Sequence, residues 1–131
     1  MKNSLPTKKD IKELTDFIPL IYDENITLYK TNPDGDMLSG GYYIYHPYVN
    51  TFFELASQPC WQDYDYVDNF SEEMIEYNKI EQASMDEIKT ILTWCVRIER
   101  FNEGHWISVI ENKVAKRVLE RLLSINKEIK Q

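Results

Sequence analysis

The sequence has few of the residues on which disulfide-bonded, metal-binding or membrane proteins depend. Its 131 residues include two cysteines, two histidines and four glycines. Two cysteines make neither a disulfide framework nor a zinc knuckle, so a reducing cytoplasm is the expected location. The glycines are too scattered to form a phosphate-binding loop, and no cofactor is expected. No apolar run reaches the roughly 18 residues of a membrane-spanning helix, and the opening residues lack the apolar stretch of a signal peptide.

Positive charge is also scarce. Lysine and arginine total 15 against 22 aspartates and glutamates, which gives a formal net charge of −7. This balance disfavours nucleic-acid binding, because a phosphate backbone would be repelled. The signs are segregated, since the charged residues of 54–87 are almost all acidic and those of the last twenty residues are mostly basic. Two solvated helix faces are the simpler interpretation, while a partner site or attraction between the two segments within the fold stays open.

Apolar residues are abundant enough for one domain over residues 1–131. The chain is 43% hydrophobic and 13% aromatic, a globular composition. Apolar residues recur at helical spacing, which predicts a mainly α, compact helical domain. The widest apolar arc belongs to the segment 84–101, which should be the central helix. The amphipathic segments are 8–18, 84–101 and 113–129.

Shorter elements are expected between these helices. Ile26–Tyr29 and Tyr42–Tyr45 are predicted to pair as a small β-hairpin near residues 26–45, around a turn at Asn32–Asp36. A short helix is indicated near 69–79. A short segment, 104–110, follows the central helix and is given no secondary structure of its own.

Two candidate metal motifs are weak. Trp61–Tyr66 has alternating acidic residues but lacks the glycine and terminal glutamate of a calcium loop. It is better interpreted as a loop anchored by packed Tyr64 and Tyr66. His46 and His105 are far apart in sequence and form no helical pair, so no metal site is expected.

Glu99 is the unusual residue of the central helix. On a helical wheel it lies within the apolar arc, between Ile88 and Leu92. A buried carboxylate needs partners, because an isolated buried charge costs several kcal/mol. The remaining polar strip of this helix consists of Lys89, Thr90, Thr93, Arg97 and Arg100, and His105 follows where the chain can reverse at Gly104.

Two interpretations of this cluster stay open. In the structural one, Glu99 accepts backbone amides from the N-terminus of the next helix. In the functional one, Glu99 and His105 form a carboxylate–imidazole pair flanked by Arg97 and Arg100, able to hold a small anion or move a proton. The candidate binding residues are therefore Arg97, Glu99, Arg100 and His105. The structural interpretation is favoured because structural ion pairs outnumber catalytic ones.

The same residues resemble a family signature. Leu92-Thr93, then Arg97-x-Glu99-Arg100-Phe101, then Gly104-His105 is similar to the Arg-x-Glu-Arg-Phe-x-x-Gly-His pattern of a family of small, uncharacterised bacterial proteins with a domain of unknown function. The resemblance covers roughly residues 42–125. It implies a glycine before the last helix, where this chain has Asn112, which tolerates the same backbone conformation. It implies no activity.

Two functions are therefore carried forward. The first is a cytoplasmic protein-interaction or regulatory module, because tyrosine and tryptophan are abundant and favour interfaces. The alternative is a small-molecule or anion-binding protein, or an enzyme, centred on Glu99, Arg97, Arg100 and His105. The expected partner is accordingly a protein or a small anionic ligand. Enzymatic activity and homo-oligomerisation are left undecided.

Overall fold

A computed structural model describes residues 5–31 and 43–128 of the chain. Its helices are α1 (Lys8–Thr15), α2 (Ile18–Ile21), α3 (Pro47–Ala56), α4 (Tyr66–Asn69), α5 (Met85–Arg97), α6 (His105–Glu111) and α7 (Val114–Glu128). Single 3₁₀ turns lie at Pro59–Trp61, Glu72–Ile75, Ile80–Gln82 and Ile98–Arg100. The strands β1 (Tyr29–Thr31) and β2 (Tyr43–Tyr45) pair antiparallel. The predicted mainly α fold with a small hairpin is confirmed. Within the described ranges, no helix is both long and apolar enough to cross a membrane.

Local capping signals set where α1 and α5 begin. The side-chain oxygen of Thr7 accepts the Asp10 amide at 3.2 Å, and the Asp10 carboxylate accepts the Thr7 amide at 2.8 Å. Ser84 and Glu87 repeat this reciprocal pair at the start of α5. Each pair satisfies two amides that have no partner within the helix. Pro19 lies in the first turn of α2, where proline is tolerated, and α1 ends before it because proline does not fit a helix interior.

The core surrounds α5, which packs against α3, α4, α6 and α7. Ile88 and Ile91 are fully buried, and Leu92 is 2% exposed. Phe52 and Phe53 reach this core from α3. The helix is therefore central, as the width of its apolar arc indicates.

Several boundaries differ from those expected. The central segment 84–101 is α-helical only to Arg97 and ends in a 3₁₀ turn. The short segment 104–110 forms the helix α6, which local patterns do not indicate because its cap is a glycine without a side chain. The expected helix near 69–79 is replaced by the short α4 and by 3₁₀ turns.

The hairpin begins later than predicted. Tyr29 pairs with Tyr45 and Thr31 pairs with Tyr43, so β1 starts at Tyr29 and not at Ile26. The expected turn at Asn32–Asp36 lies outside the described residues.

The turn before α7 also differs from the expectation. Asn112 keeps a negative φ of −82°, and the left-handed residue is Lys113 with φ of 72°. The Asn112 side chain instead accepts the Val114 amide at 3.0 Å. Asparagine therefore serves as a side-chain cap here and not as the left-handed residue.

α7 is bound to the domain by apolar and by charged groups. Its buried residues are Val114, Ala115, Val118, Leu119 and Leu122. On its other side, Arg117 donates to the Glu81 carboxylate at 2.7 and 3.0 Å and to the carbonyls of Ile75 and Glu76 at 2.9 and 2.8 Å. The hydrogen bonds from Arg117 lower the pKa of Glu81 below its usual value. The acidic middle and the basic last helix thus attract each other within the fold.

We expect Leu119→Ala to lower the free energy of unfolding by about 2–5 kcal/mol, because Leu119 is fully buried and its loss leaves a cavity. Leu123 on the same helix is 40% exposed, so Leu123→Ala should change the free energy of unfolding by less than about 1 kcal/mol. Urea denaturation of both variants measures the difference. Equal effects would mean that α7 does not dock as described.

Candidate functional site

The Glu99 carboxylate joins three parts of the structure. Its Oε2 accepts the Tyr45 hydroxyl at 2.5 Å and the Gly104 amide at 3.1 Å, and its Oε1 accepts the Trp106 amide at 2.9 Å. Both amides belong to the first turn of α6, where a negative charge is stabilised by the helix dipole. Glu99 thus accepts backbone amides at the start of the next helix, as the structural interpretation of this cluster describes. Tyr45 was not foreseen, because it lies far away in sequence and no local pattern connects it to Glu99.

Aromatic rings enclose this carboxylate on the hairpin side. Burial raises the pKa of Tyr45 first, and its hydrogen bond to Glu99 raises it further, so the phenol stays protonated and donates. The Tyr45 ring lies 5.2 Å from that of Trp106. The Trp106 ring stacks on Phe53 at 4.5 Å, and its indole donates to the Val96 carbonyl at 3.2 Å. The hairpin, α3, α5 and α6 therefore meet around Glu99.

Gly104 permits the tight reversal that brings Glu99 to α6. Its φ is 93°, a left-handed conformation that residues with side chains rarely adopt. A Cβ at this position would also lie 2.8 Å from the Tyr43 ring. Both the backbone and the neighbouring ring therefore require glycine.

His105 is buried beside the carboxylate without being bonded to it. Its side chain meets Trp94 edge-on at 4.5 Å, and the residue is 7% exposed. Its Nε2 is buried and has no hydrogen-bond partner among the described residues. Burial lowers the pKa of His105, and the charge of Glu99 opposes this effect. The imidazole is therefore expected to be neutral at pH 7.

The two candidate arginines face other directions. Arg97, expected at the centre of an exposed polar strip, is half-buried and donates to the Gln62 side chain at 3.3 Å. Arg100 is exposed, and its guanidinium group makes no hydrogen bond or ion pair with any described residue. Of the four candidates, Glu99 and His105 are brought close together, and neither guanidinium reaches the carboxylate.

The polar strip of α5 is covered and not solvated. Thr90 and Thr93 are 4% and 1% exposed because the loop around Asp63 lies over them. The Asp63 amide donates to the Thr93 hydroxyl at 2.8 Å, and the Thr90 hydroxyl donates to the Asp63 carboxylate at 2.6 Å. Burial tends to raise the pKa of Asp63, but the hydrogen bonds from Thr90 and Asn69 lower it below its usual value. Tyr64, expected to be packed, is 63% exposed, because Asp63 anchors the loop.

The described residues around α5 provide neither a reactive thiol nor a group of metal ligands. Burial raises the pKa of Cys95 to about 12, so its thiol is protonated and unreactive at neutral pH. Burial, followed by the charge of Asp10, also raises the pKa of Cys60. Among residues 5–31 and 43–128, no three His, Cys, Asp or Glu side chains are grouped to hold a metal ion.

We expect Glu99→Gln to lower the free energy of unfolding by about 1–3 kcal/mol. The amide retains the shape but has only one acceptor oxygen for three donors. Glu54 is exposed on α3, so Glu54→Gln is the matched control and should be near neutral. Urea denaturation measures both. A Glu99→Gln variant as stable as the wild type would show that these hydrogen bonds do not stabilise the fold.

His105 should make stability depend on pH. Its pKa is lowered on folding from the ordinary value of 6.5, so the unfolded chain binds the proton more readily. The contribution of the neutral His105 to the free energy of unfolding is complete above pH 6.5. It is lost as the pH falls from there towards the folded pKa.

His105→Phe keeps an aromatic ring against Trp94 and should reduce this loss of stability at acid pH. His46→Asn preserves a capping side chain for the Tyr48 amide and serves as the control. Denaturation at several pH values distinguishes them. An unchanged pH dependence in His105→Phe would contradict the assignment.

Comparison with known proteins places the chain in a family. No curated protein and no solved structure matches the chain. The model of the family of unknown function DUF6508 matches residues 6–128. The match is wider than the expected 42–125 and includes the first helix, which is explained by the packing of α1 against α7. Because almost the whole described chain is matched, the protein belongs to the family of unknown function DUF6508.

Proposed function

We propose that the chain is a cytoplasmic protein-interaction module with a regulatory role, and that a partner binds at an aromatic face. This face is defined by Val67, Phe70, Trp94 and Phe101. The observation that carries the proposal is Phe101, a large apolar side chain that is 77% exposed at the end of the central helix. Exposed aromatic rings are enriched at interfaces.

Phe101 is held in position before any partner arrives. Its amide donates to the Ile98 carbonyl at 2.9 Å, and it follows the turn that contains Glu99. The three hydrogen bonds to Glu99 fix that turn against α6 and the hairpin. A backbone that is already fixed loses little conformational entropy on binding, so more of the contact energy contributes to affinity.

The rest of the aromatic face is continuous with α5. The Phe70 ring stacks on Trp94 at 4.5 Å, and Val67 is 76% exposed on the adjoining α4. Phe101 follows the 3₁₀ turn Ile98–Arg100 that continues from α5. Apolar residues from two helices therefore border one surface.

Charge defines the chemistry of the partner. Arg97 and Arg100 lie beside Phe101 in sequence, in a chain whose net charge is negative. Aromatic and arginine side chains together are typical of binding hot spots. The partner that fits presents an apolar side chain next to a carboxylate.

The alternative, a small-molecule or anion site or an enzyme centred on Glu99, Arg97, Arg100 and His105, has less support. The carboxylate of Glu99 already accepts three hydrogen bonds, and Arg97 donates to Gln62. An anion would have to separate these contacts to be held by both guanidinium groups. Nucleic acid is also disfavoured, because Arg117 and Arg121 of the basic helix donate to groups within the fold.

A photo-crosslinking amino acid at position 101 tests the proposed face. We expect it to capture a specific protein in the native cell, and the same probe at position 77 should not capture that protein. Tyr77 is the matched control because it is 87% exposed on another part of the surface.

The captured protein is then tested with Phe101→Asp and Tyr77→Asp by calorimetry. Only Phe101→Asp should weaken binding, by about 10-fold or more, and neither variant should change the melting temperature. The same captured proteins at both positions, or equal binding by both variants, would contradict the proposal.

A further inference from the structure

A second feature of α5 is a largely buried lysine whose ammonium group has no partner among the described residues. The residue Lys89 is 7% exposed, and its ammonium group, which is not fully enclosed, makes no hydrogen bond and no ion pair with any described residue. Buried charges in proteins are normally paired, because desolvation of an ammonium group is costly. The electrostatic effect of Lys89 reaches the Asp63 carboxylate without a direct contact. This cation is therefore available to an anionic group from outside the fold.

Lys89 lies at a cleft between α5 and the loop that carries Asp63. The cleft has a volume of about 810 Å³, within the range of small-molecule sites. Lys89, Thr90 and Gln62 contribute buried polar side chains, and Leu5, Tyr64 and Met74 contribute apolar surface.

Carboxylates at the same cleft restrict what could bind. Asp63 is already engaged by Thr90 and Asn69. Asp65 and Asp86 also line the cleft, are exposed, and have no hydrogen-bond partner for their carboxylates among the described residues. A phosphate dianion would be repelled by these acids. A ligand with one carboxylate and one ammonium group would instead pair with Lys89 and with the free acids.

We propose that this cleft binds a small zwitterion, an apolar amino acid or a short apolar peptide, with its carboxylate on Lys89 and its ammonium group on Asp65 and Asp86. The apolar side chain of the ligand packs against Met74 and the neighbouring apolar surface. This site is separate from the aromatic face and does not depend on a protein partner.

Calorimetry on the full chain tests the proposal with matched probes. The probes are leucine and the dipeptide leucyl-leucine, with 4-methylpentanoate as the carboxylate alone, isopentylamine as the ammonium alone, and inorganic phosphate. We expect leucine or the dipeptide to bind with a dissociation constant of about 1 mM or lower. The single-charge compounds and phosphate should bind at least about 10-fold more weakly, because each lacks one charge-assisted contact.

Variants then locate the site. Lys89→Met retains the apolar stem and should weaken binding of the zwitterion by about 10- to 100-fold. Lys127 is exposed on the last helix, so Lys127→Met is the control and should bind like the wild type. Asp65→Asn combined with Asp86→Asn changes only exposed groups; it should weaken the zwitterion and leave 4-methylpentanoate unaffected or bound more tightly.

Lys89→Met should also fold as stably as the wild type or more so, because it removes an unpaired charge and keeps the buried apolar stem. If it does not fold, the double aspartate variant decides the question alone. The proposal is overturned if neither zwitterion binds at millimolar concentration, if phosphate binds more tightly than both, or if the variants bind the zwitterion like the wild type.

Discussion

The hydrogen bonds accepted by Glu99 are the constraint on which the surrounding structure depends. The first amides of a helix have no partner within it. Gly104, the residue before α6, has no side chain that could cap them. The Glu99 carboxylate supplies that cap from the preceding turn and also binds the Tyr45 hydroxyl. One side chain thereby fixes the start of α6 and the position of the hairpin. Because the turn that contains Glu99 is fixed, Phe101, two residues further along the chain, lies at a defined place on the surface.

Sequence patterns predicted the elements that are determined locally. The capping pairs at Thr7 and Ser84 fall within one helical turn, and the apolar face of α7 is visible from its spacing. They did not predict α6, because its cap comes from another element, nor Tyr45, whose contact depends on the tertiary fold. A helical wheel predicted the acceptor role of Glu99 because a carboxylate in an apolar arc requires donors.

The polar side of α5 illustrates a second limit. A wheel distinguishes polar from apolar residues but does not show what covers them, so it places Thr90 and Thr93 on the polar strip without indicating that they are buried. Their hydroxyls are buried because each bonds the loop that contains Asp63. The same cover leaves Lys89 in a cleft and brings Gln62 to Arg97. Gln62 therefore lines the cleft and also accepts the hydrogen bond from Arg97 near the end of α5.

Arg117 holds the segment before α5 in place, because this segment has little regular secondary structure of its own. Residues 72–82 form only isolated 3₁₀ turns, whereas the guanidinium on α7 binds the carbonyls of Ile75 and Glu76 and the carboxylate of Glu81. Separating α7 would remove these bonds together, so the segment and α7 form one cooperative unit of local unfolding. Amides of both should then exchange with solvent through a shared opening, and a protease should reach the segment only when the last helix has detached.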